Sequence, residues 1–183
     1  MYGLINNSLR EMTIARWGAE QWTKVASRAG VTDAVFQNMI PYDDALTYAL
    51  VGALAEERSI DAGALLREFG VFWVRVVAPS QYGDLMQFTG GSLPEFLSNL
   101  DRMHDRVATI YQNLEQPSFS VETLSDTRLR LHYRSRRAGL APFVIGLLEG
   151  LGERFATKVS ITHQESKSAG ANHDVFLVEH GAS

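Results

Sequence analysis

The chain has 183 residues, 45% of them hydrophobic and 21% charged, a composition typical of a globular protein with an apolar core. With 17 basic and 21 acidic residues, the formal net charge is -4, which gives no general attraction to a nucleic-acid backbone. The sequence has no cysteine, which excludes disulfides, thiolate metal sites and cysteine nucleophiles. No signal-peptide pattern opens the chain, and no apolar run reaches the ~18 residues of a membrane span. We therefore predict a cytoplasmic protein that binds neither nucleic acid nor membranes.

The first 111 residues carry apolar side chains at three- and four-residue spacing, which predicts helices. Asp61 is the predicted N-cap of the fourth of them, and Ser92-Leu93-Pro94-Glu95 is a capping-box pattern that opens the fifth. The predicted helices are Tyr2–Trp17, Ala19–Ala29, Asp43–Glu57, Asp61–Val77 and a last one from Ser92 to about Tyr111.

After Pro117 the period changes, because residues 128–135 alternate between polar and apolar or small side chains. This pattern predicts a half-buried strand, with residues 119–124 as its hairpin partner. Residues 139–155 predict a long buried helix, and residues 158–164 and 175–180 predict two further strands. The fold class is therefore α+β: a single domain over 1–183, in which a helical N-terminal half packs on a C-terminal antiparallel sheet with one long buried helix.

The fifth predicted helix places one histidine, His104, on its apolar face. That face consists of Leu93, Phe96, Leu97, Leu100, Met103, Val107 and Ile110. A histidine in such a position is either a core residue bonded to a backbone carbonyl or a metal ligand. Position alone leaves both interpretations open.

The alternating strand offers a second group of polar side chains, because period two places Tyr133, Ser135 and Arg137 on one face. Two hydroxyls and a planar, permanently charged guanidinium are donors that suit a carboxylate ligand. The alternative is an exposed strand end where the arginine pairs with a nearby acid.

Together these residues resemble the haem nitric oxide/oxygen binding (H-NOX) family, which includes the haem domain of soluble guanylate cyclase. The resemblance rests on the Tyr-x-Ser-x-Arg motif, on His104 about thirty residues upstream, and on Pro117 between them. Further segments are similar to stand-alone cyanobacterial members: residues 1–6, 92–96, 99–101, 139–142 and 146–148.

The resemblance implies that His104 is the proximal ligand to the iron of haem b. It implies that Tyr133, Ser135 and Arg137 hold the haem propionates. By the same resemblance, Pro117 and Ile5 would press on the macrocycle and set its distortion.

On the distal side, oxygen-binding members of the family carry a tyrosine, and the matching position here is Phe143. Phenylalanine cannot donate a hydrogen bond to bound dioxygen, so the resemblance implies a preference for nitric oxide and carbon monoxide. Trp73 matches another distal position, and its indole N–H is either a donor to the ligand or simply part of a space-filling side chain.

The C-terminal hairpin contains His163, His173 and Asp174, where some bacterial relatives hold a zinc ion with several cysteines. Two histidines are too few for a structural zinc site, so none is expected. The turn that contains Asp174 is expected to face solvent.

The resulting hypothesis is a gas sensor without enzymatic activity, in which gas binding releases or moves the helix that carries His104. A separate signalling protein, such as a histidine kinase or a cyclic-nucleotide enzyme, would receive the signal. The alternative is a haem-free interaction or small-molecule-binding module. A haem peroxidase is disfavoured, because Phe143 and its neighbours offer no acid or base.

Overall fold

The computed structural model describes residues 1–31, 35–110 and 115–182. The chain forms two compact units, Met1–Phe69 and Gly70–Ser183. The predicted α+β class is confirmed, while the single-domain organisation stays a prediction. None of the helices in the described ranges combines the length and the hydropathy that crossing a membrane requires.

The first unit is helical, as predicted. Its helices are α1 (Gly3–Trp17), α2 (Ala19–Arg28), α3 (Asp44–Arg58) and the first part of α4 (Ala62–Phe72). Two of these helices begin with an aspartate cap: Asp43 Oδ1 accepts from the backbone N–H of Ala45, and Asp61 Oδ1 accepts from that of Ala64. Each cap satisfies a backbone donor that the first helical turn leaves without a partner, so the predicted N-cap at Asp61 is confirmed.

The prediction of one α-helix from Asp61 to Val77 is wrong in its last five residues. After α4 the chain forms a π-helical turn, Trp73–Val77, and continues as α5 (Ala78–Thr89). Pro79 lies in the first turn of α5, where a missing N–H has little cost. A π-helical turn inside a longer helix is frequently found at functional sites.

The fifth predicted helix is also interrupted, and forms α6 (Leu93–Ser98) and α7 (Leu100–Ala108). Asn99 separates them with φ -99° and ψ 3°, and its side-chain amide donates to the carbonyl of Thr89 at 2.9 Å. This long-range hydrogen bond favours the non-helical backbone at Asn99. The predicted end at Tyr111 lies outside the described residues, and Ile110 is not part of the buried face, since it is 59% exposed.

The capping box at the start of α6 forms only in part. Ser92 Oγ accepts from the backbone N–H of Glu95 at 3.4 Å, as the pattern predicts. The Glu95 carboxylate, however, accepts from the backbone N–H of Gly91 at 2.9 Å.

In the second unit, four strands of the described chain form an antiparallel sheet in the order β1-β2-β4-β3. The strands are β1 (Ser118–Ser125), β2 (Arg128–Arg134), β3 (Thr157–Glu165) and β4 (Asp174–Ala182). Along β2, Leu129, Leu131 and Tyr133 are buried while the residues between them are not, which confirms the predicted alternation.

The predicted buried helix is α8 (Ala141–Arg154). It lies close to the π-helical turn. A Cβ atom on Gly150 would lie 2.8 Å from Cβ of Val74, so this contact needs a glycine. Leu131, Val144, Leu148 and Phe176 belong to the hydrophobic core of the unit.

Candidate functional site

His104 lies on α7, and its side chain lies against the start of the sheet. Its imidazole stacks on the ring of Phe119 in β1, with centroids 5.4 Å apart and planes inclined by 29°. Its Nδ1 atom is buried and has no hydrogen-bond partner among the described residues. The described residues therefore do not show a core histidine bonded through Nδ1 to a carbonyl, and a buried polar atom without a partner is unusual.

The protonation of His104 follows from its surroundings. Burial lowers the pKa of His104 below its ordinary value of 6.5, while the carboxylates of Asp101 and Asp105 act in the opposite direction. The imidazole is therefore neutral near pH 7, which is the form that binds a metal.

Two carboxylates beside His104 join α7 to the start of β1 and to the segment that leads into it. Asp101 accepts from the backbone N–H of Phe119 at 2.5 Å and from Ser118 Oγ at 3.2 Å. Asp105 accepts from Gln116 Nε2 at 3.0 Å. Sequence reasoning did not assign these contacts, although acidic residues three before and one after His104 are visible in the sequence. Any displacement of α7 has to alter them.

Tyr133 on β2 belongs to the same group of rings. Its ring centroid lies 5.2 Å from that of Phe119, which is thus in contact with both His104 and Tyr133. Tyr133 and Phe119 are both buried. Phe119 was not predicted as a site residue, because only the pairing of β1 with β2 places it opposite Tyr133.

Ser135 and Arg137 follow the strand and are not part of it. Since β2 ends at Arg134, the prediction that strand periodicity places Tyr133, Ser135 and Arg137 on one face holds only for Tyr133. Instead, Ser135 Oγ accepts from the backbone N–H of Arg137 at 3.1 Å, and Arg137 Nη1 donates to the carbonyl of Glu115 at 2.7 Å. The guanidinium of Arg137 thus lies beside the segment that leads to Pro117. Pro117 is half-buried.

Trp73 and Phe143 form a separate pair. Trp73 is the first residue of the π-helical turn and Phe143 lies in the first turn of α8. Their ring centroids are 6.5 Å apart in an edge arrangement, and both side chains are half-buried. Trp73 packs against the hydrophobic core that includes Phe119 and Tyr133.

Ile5 is the remaining predicted site residue. It is half-buried on α1 in the first unit. Its predicted contact with a cofactor stays a prediction.

The C-terminal histidines bond to protein partners. His163 Nε2 donates to Asp174 Oδ1 at 2.9 Å, and Nε2 of His173 and Nδ1 of His132 are 2.9 Å apart. The expectation that Asp174 faces solvent is wrong, because it is only 9% exposed. In the described part of the chain, no group of three or more His, Cys, Asp or Glu residues has the arrangement of a metal site.

Comparison with known proteins identifies the family to which these residues belong. The sequence matches the Haem-NO-binding family over residues 2–163. The chain is a member of the Haem-NO-binding, or H-NOX, family. The resemblance inferred from the sequence is confirmed, and members of this family bind haem.

Curated relatives of this H-NOX chain are subunits of soluble guanylate cyclases. Soluble guanylate cyclase gcy-31 of Caenorhabditis elegans is 30% identical over 162 residues, which are 88% of this chain and 23% of that protein. Guanylate cyclase soluble subunit beta-2 of Rattus norvegicus is 36% identical over 121 residues, which are 63% of this chain and 18% of that subunit. The chain thus spans about a quarter or less of these relatives, and the match concerns a sensor domain, not the cyclase activity.

Solved H-NOX structures share the fold. An H-NOX protein mutant from S. oneidensis in the Fe(II) ligation state superposes with a TM-score of 0.92 at 23% identity, covering 100% of this chain and 97% of that one. The S. oneidensis protein in the Fe(II)NO ligation state gives a TM-score of 0.90 at 24% identity, with 99% of both chains covered.

The residues of this H-NOX chain fit a haem. His104 presents a neutral imidazole with a buried, unsatisfied nitrogen next to an apolar core. Arg137, Ser135 and Tyr133 supply a cation and two hydroxyls, the donors that a pair of carboxylates requires.

Proposed function

We propose that this chain is a haem-based gas sensor that binds nitric oxide and carbon monoxide and passes the signal to another protein by movement of α7. The observation that carries the proposal is His104, whose buried Nδ1 has no hydrogen-bond partner among the described residues. Membership of the family supports haem as the cofactor. The proposal also includes three finer points: that the haem is haem b, that the protein is cytoplasmic, and that the site residues are those named above.

The solved relatives support the choice of gases. The S. oneidensis H-NOX protein is described in Fe(II)NO and Fe(II)CO ligation states. Here, Phe143 has no side-chain donor, and a bound nitric oxide or carbon monoxide depends less on a hydrogen bond than bound dioxygen does. We therefore expect the first two gases to be favoured.

Haem, when bound, supplies a ferrous iron to which diatomic gases bind. In the proposed site, His104 is the protein ligand to that iron, and its neutral form at pH 7 makes it available. Arg137, Ser135 and Tyr133 hold the propionates, and the guanidinium provides the charge-assisted part of that contact.

The proposed route for the signal begins at α7. Asp101 and Asp105 lie on the same helix as His104 and join it to Phe119, Ser118 and Gln116. A shift of His104 therefore strains contacts at the edge of the sheet as well as within α7. The relatives are guanylate cyclases, so a cyclic-nucleotide enzyme is one candidate for the receiving protein and a histidine kinase is another.

The visible absorption spectrum tests this function. Protein purified from haem-supplied cells is reduced without oxygen and exposed in turn to nitric oxide, carbon monoxide and air. We expect a Soret band typical of five-coordinate ferrous haem, distinct shifts with the first two gases, and no stable complex in air. If no Soret band forms even after reconstitution, the chain is instead a haem-free interaction or small-molecule-binding module.

A further inference from the structure

Lys167 connects the C-terminal hairpin to the proposed propionate-binding segment, residues 135–137. It lies in the short 3-10 helix Lys167–Ala169 that follows β3. Its Nζ donates to the carbonyl oxygen of Ser135 at 2.6 Å, across 32 residues of sequence.

The backbone of Lys167 is itself held in place. Its N–H donates to Asp174 Oδ1 at 3.1 Å, and the same carboxylate oxygen accepts from His163 Nε2 at 2.9 Å. Asp174 is buried and pairs with Tyr133 across the β2–β4 ladder. The lysine is thus anchored next to the end of β2, where the 135–137 segment begins.

The 135–137 segment has further fixed points. Ser135 Oγ accepts from the backbone N–H of Arg137, and Arg137 Nη1 donates to the carbonyl of Glu115. Because the segment is outside the strand, no ladder hydrogen bonds hold it beyond Arg134. Side-chain contacts such as that of Lys167 have to fix its position.

We propose that Lys167 is a positioning residue of the propionate site: its ammonium group fixes the Ser135 carbonyl, and so orients Ser135 and Arg137 toward the ligand carboxylates. The ammonium also adds a second positive charge near a ligand that carries two negative ones. This inference rests on the proposed haem site and deepens it.

Two measurements on Lys167→Met test the inference. The first is the rate of haem transfer from the loaded protein to apomyoglobin, which we expect to rise on the order of tenfold, because a hydrogen bond from a charged donor is lost. The second is hydrogen exchange of the Arg137 amide in the haem-free protein. We expect faster exchange there and unchanged exchange at Leu131 within β2.

Matched variants separate positioning from a general loss of charge or stability. Lys158→Met removes an exposed lysine from the same hairpin and should leave both measurements unchanged. Lys167→Arg keeps a cationic donor and should restore most of the haem retention. Lys167 is exposed, so its substitution should leave the thermal unfolding of the haem-free protein close to that of wild type.

The outcomes distinguish this inference from the proposed function. A wild-type protein that holds no haem overturns the proposed function and this inference with it. If wild type holds haem but Lys167→Met transfers it within twofold of the wild-type rate, or leaves Arg137 exchange unchanged, only the inference fails. The inference also fails if Lys167→Arg loses haem as fast as Lys167→Met does.

Discussion

The ring centroids of His104 and Phe119 lie 5.4 Å apart, and the backbone N–H of Phe119 donates to Asp101, which lies on the same helix as His104. The proposed iron ligand and the first strand of the sheet are therefore joined both through their rings and through a carboxylate. Phe119 in turn contacts Tyr133. One ring, that of Phe119, thus lies between His104 and Tyr133, which is one of the residues proposed to bind the propionates.

Removing His104 tests its assignment as the iron ligand. His104→Gly deletes the imidazole and leaves space beside Phe119, so we expect haem to be retained only when free imidazole is supplied. The ferrous absorption spectrum with and without imidazole measures this. His180→Gln serves as the control and should keep the wild-type spectrum. A His104→Gly protein with the wild-type spectrum in the absence of imidazole contradicts the assignment.

Arg137 should contribute more to haem retention than Ser135. A hydrogen bond to a charged group is worth ~1.5 to 3 kcal/mol, and one between neutral groups ~1 kcal/mol. Arg137→Ala should therefore speed haem transfer to apomyoglobin by roughly 10- to 100-fold, and Ser135→Ala by roughly fivefold.

Arg136→Ala is the matched control for this comparison. Arg136 belongs to the same segment but is exposed and pairs with the Glu115 carboxylate. Its replacement should leave the transfer rate close to wild type. Equal rates for Arg137→Ala and wild type would show that the propionates bind elsewhere.

The local pattern of the sequence was sufficient to predict much of this architecture. Alternation along residues 128–135 predicted β2 and its buried face, although the strand ends one residue earlier, at Arg134. The apolar run after Gly139 predicted α8, because side-chain periodicity follows directly from strand and helix geometry. Pattern reasoning failed where a distant group decides the local structure. Asn99 separates α6 from α7 through its side-chain hydrogen bond to the carbonyl of Thr89, and no proline or glycine at this position indicates in the sequence that the helix ends.

The site was predicted less completely than the fold. His104 and Tyr133 were predicted as site residues from their periodicity and from the family motif, and their roles stay predictions. The contacts of Phe119 with Tyr133 and of Lys167 with Ser135 were not predicted, because they join segments that are far apart in sequence, and only strand pairing and the hairpin bring them together. Asp174 was misassigned, because a carboxylate within a polar turn looks solvated until its two donors are known.

Acid should destabilise the haem-free protein through His173. Burial lowers the pKa of His173 below 6.5, as do Arg134 and His132, while Glu165 and Asp174 raise it less. The folded chain therefore takes up this proton less readily than the unfolded chain. The contribution of neutral His173 to the free energy of unfolding is complete above pH 6.5, and it is lost as the pH falls through the lower pKa of the folded state.

Urea unfolding of the haem-free protein between pH 7.5 and 5 measures this effect. His173→Gln should show a weaker fall in the free energy of unfolding over that range than wild type. Geometry gives a second reason to expect that acid destabilises the fold. Nε2 of His173 and Nδ1 of His132 lie 2.9 Å apart, and if both rings were protonated, two N–H donors would face each other without an acceptor. Parallel pH profiles for the variant and wild type would contradict this assignment.

The final prediction concerns the choice between gases, and it depends on Phe143 and Trp73. A charge-assisted hydrogen bond to bound dioxygen is worth ~1.5 to 3 kcal/mol, or about one to two powers of ten in affinity. Phe143→Tyr introduces a donor next to Trp73, whose ring centroid lies 6.5 Å from that of Phe143. We expect this variant to bind dioxygen more tightly than wild type, measured as the spectrum of the ferrous protein in air.

Trp73→Phe separates the two aromatic positions in this prediction. If Phe143 alone sets the selectivity, wild type and Trp73→Phe both fail to form a stable complex in air, because neither carries a hydroxyl at position 143. The indole N–H of Trp73 is the one rival donor in this pair. A stable dioxygen complex in wild type that disappears in Trp73→Phe would assign the donor to Trp73, whose backbone belongs to the π-helical turn. In that case the π-helical turn, and not the first turn of α8, would determine which gas the protein holds.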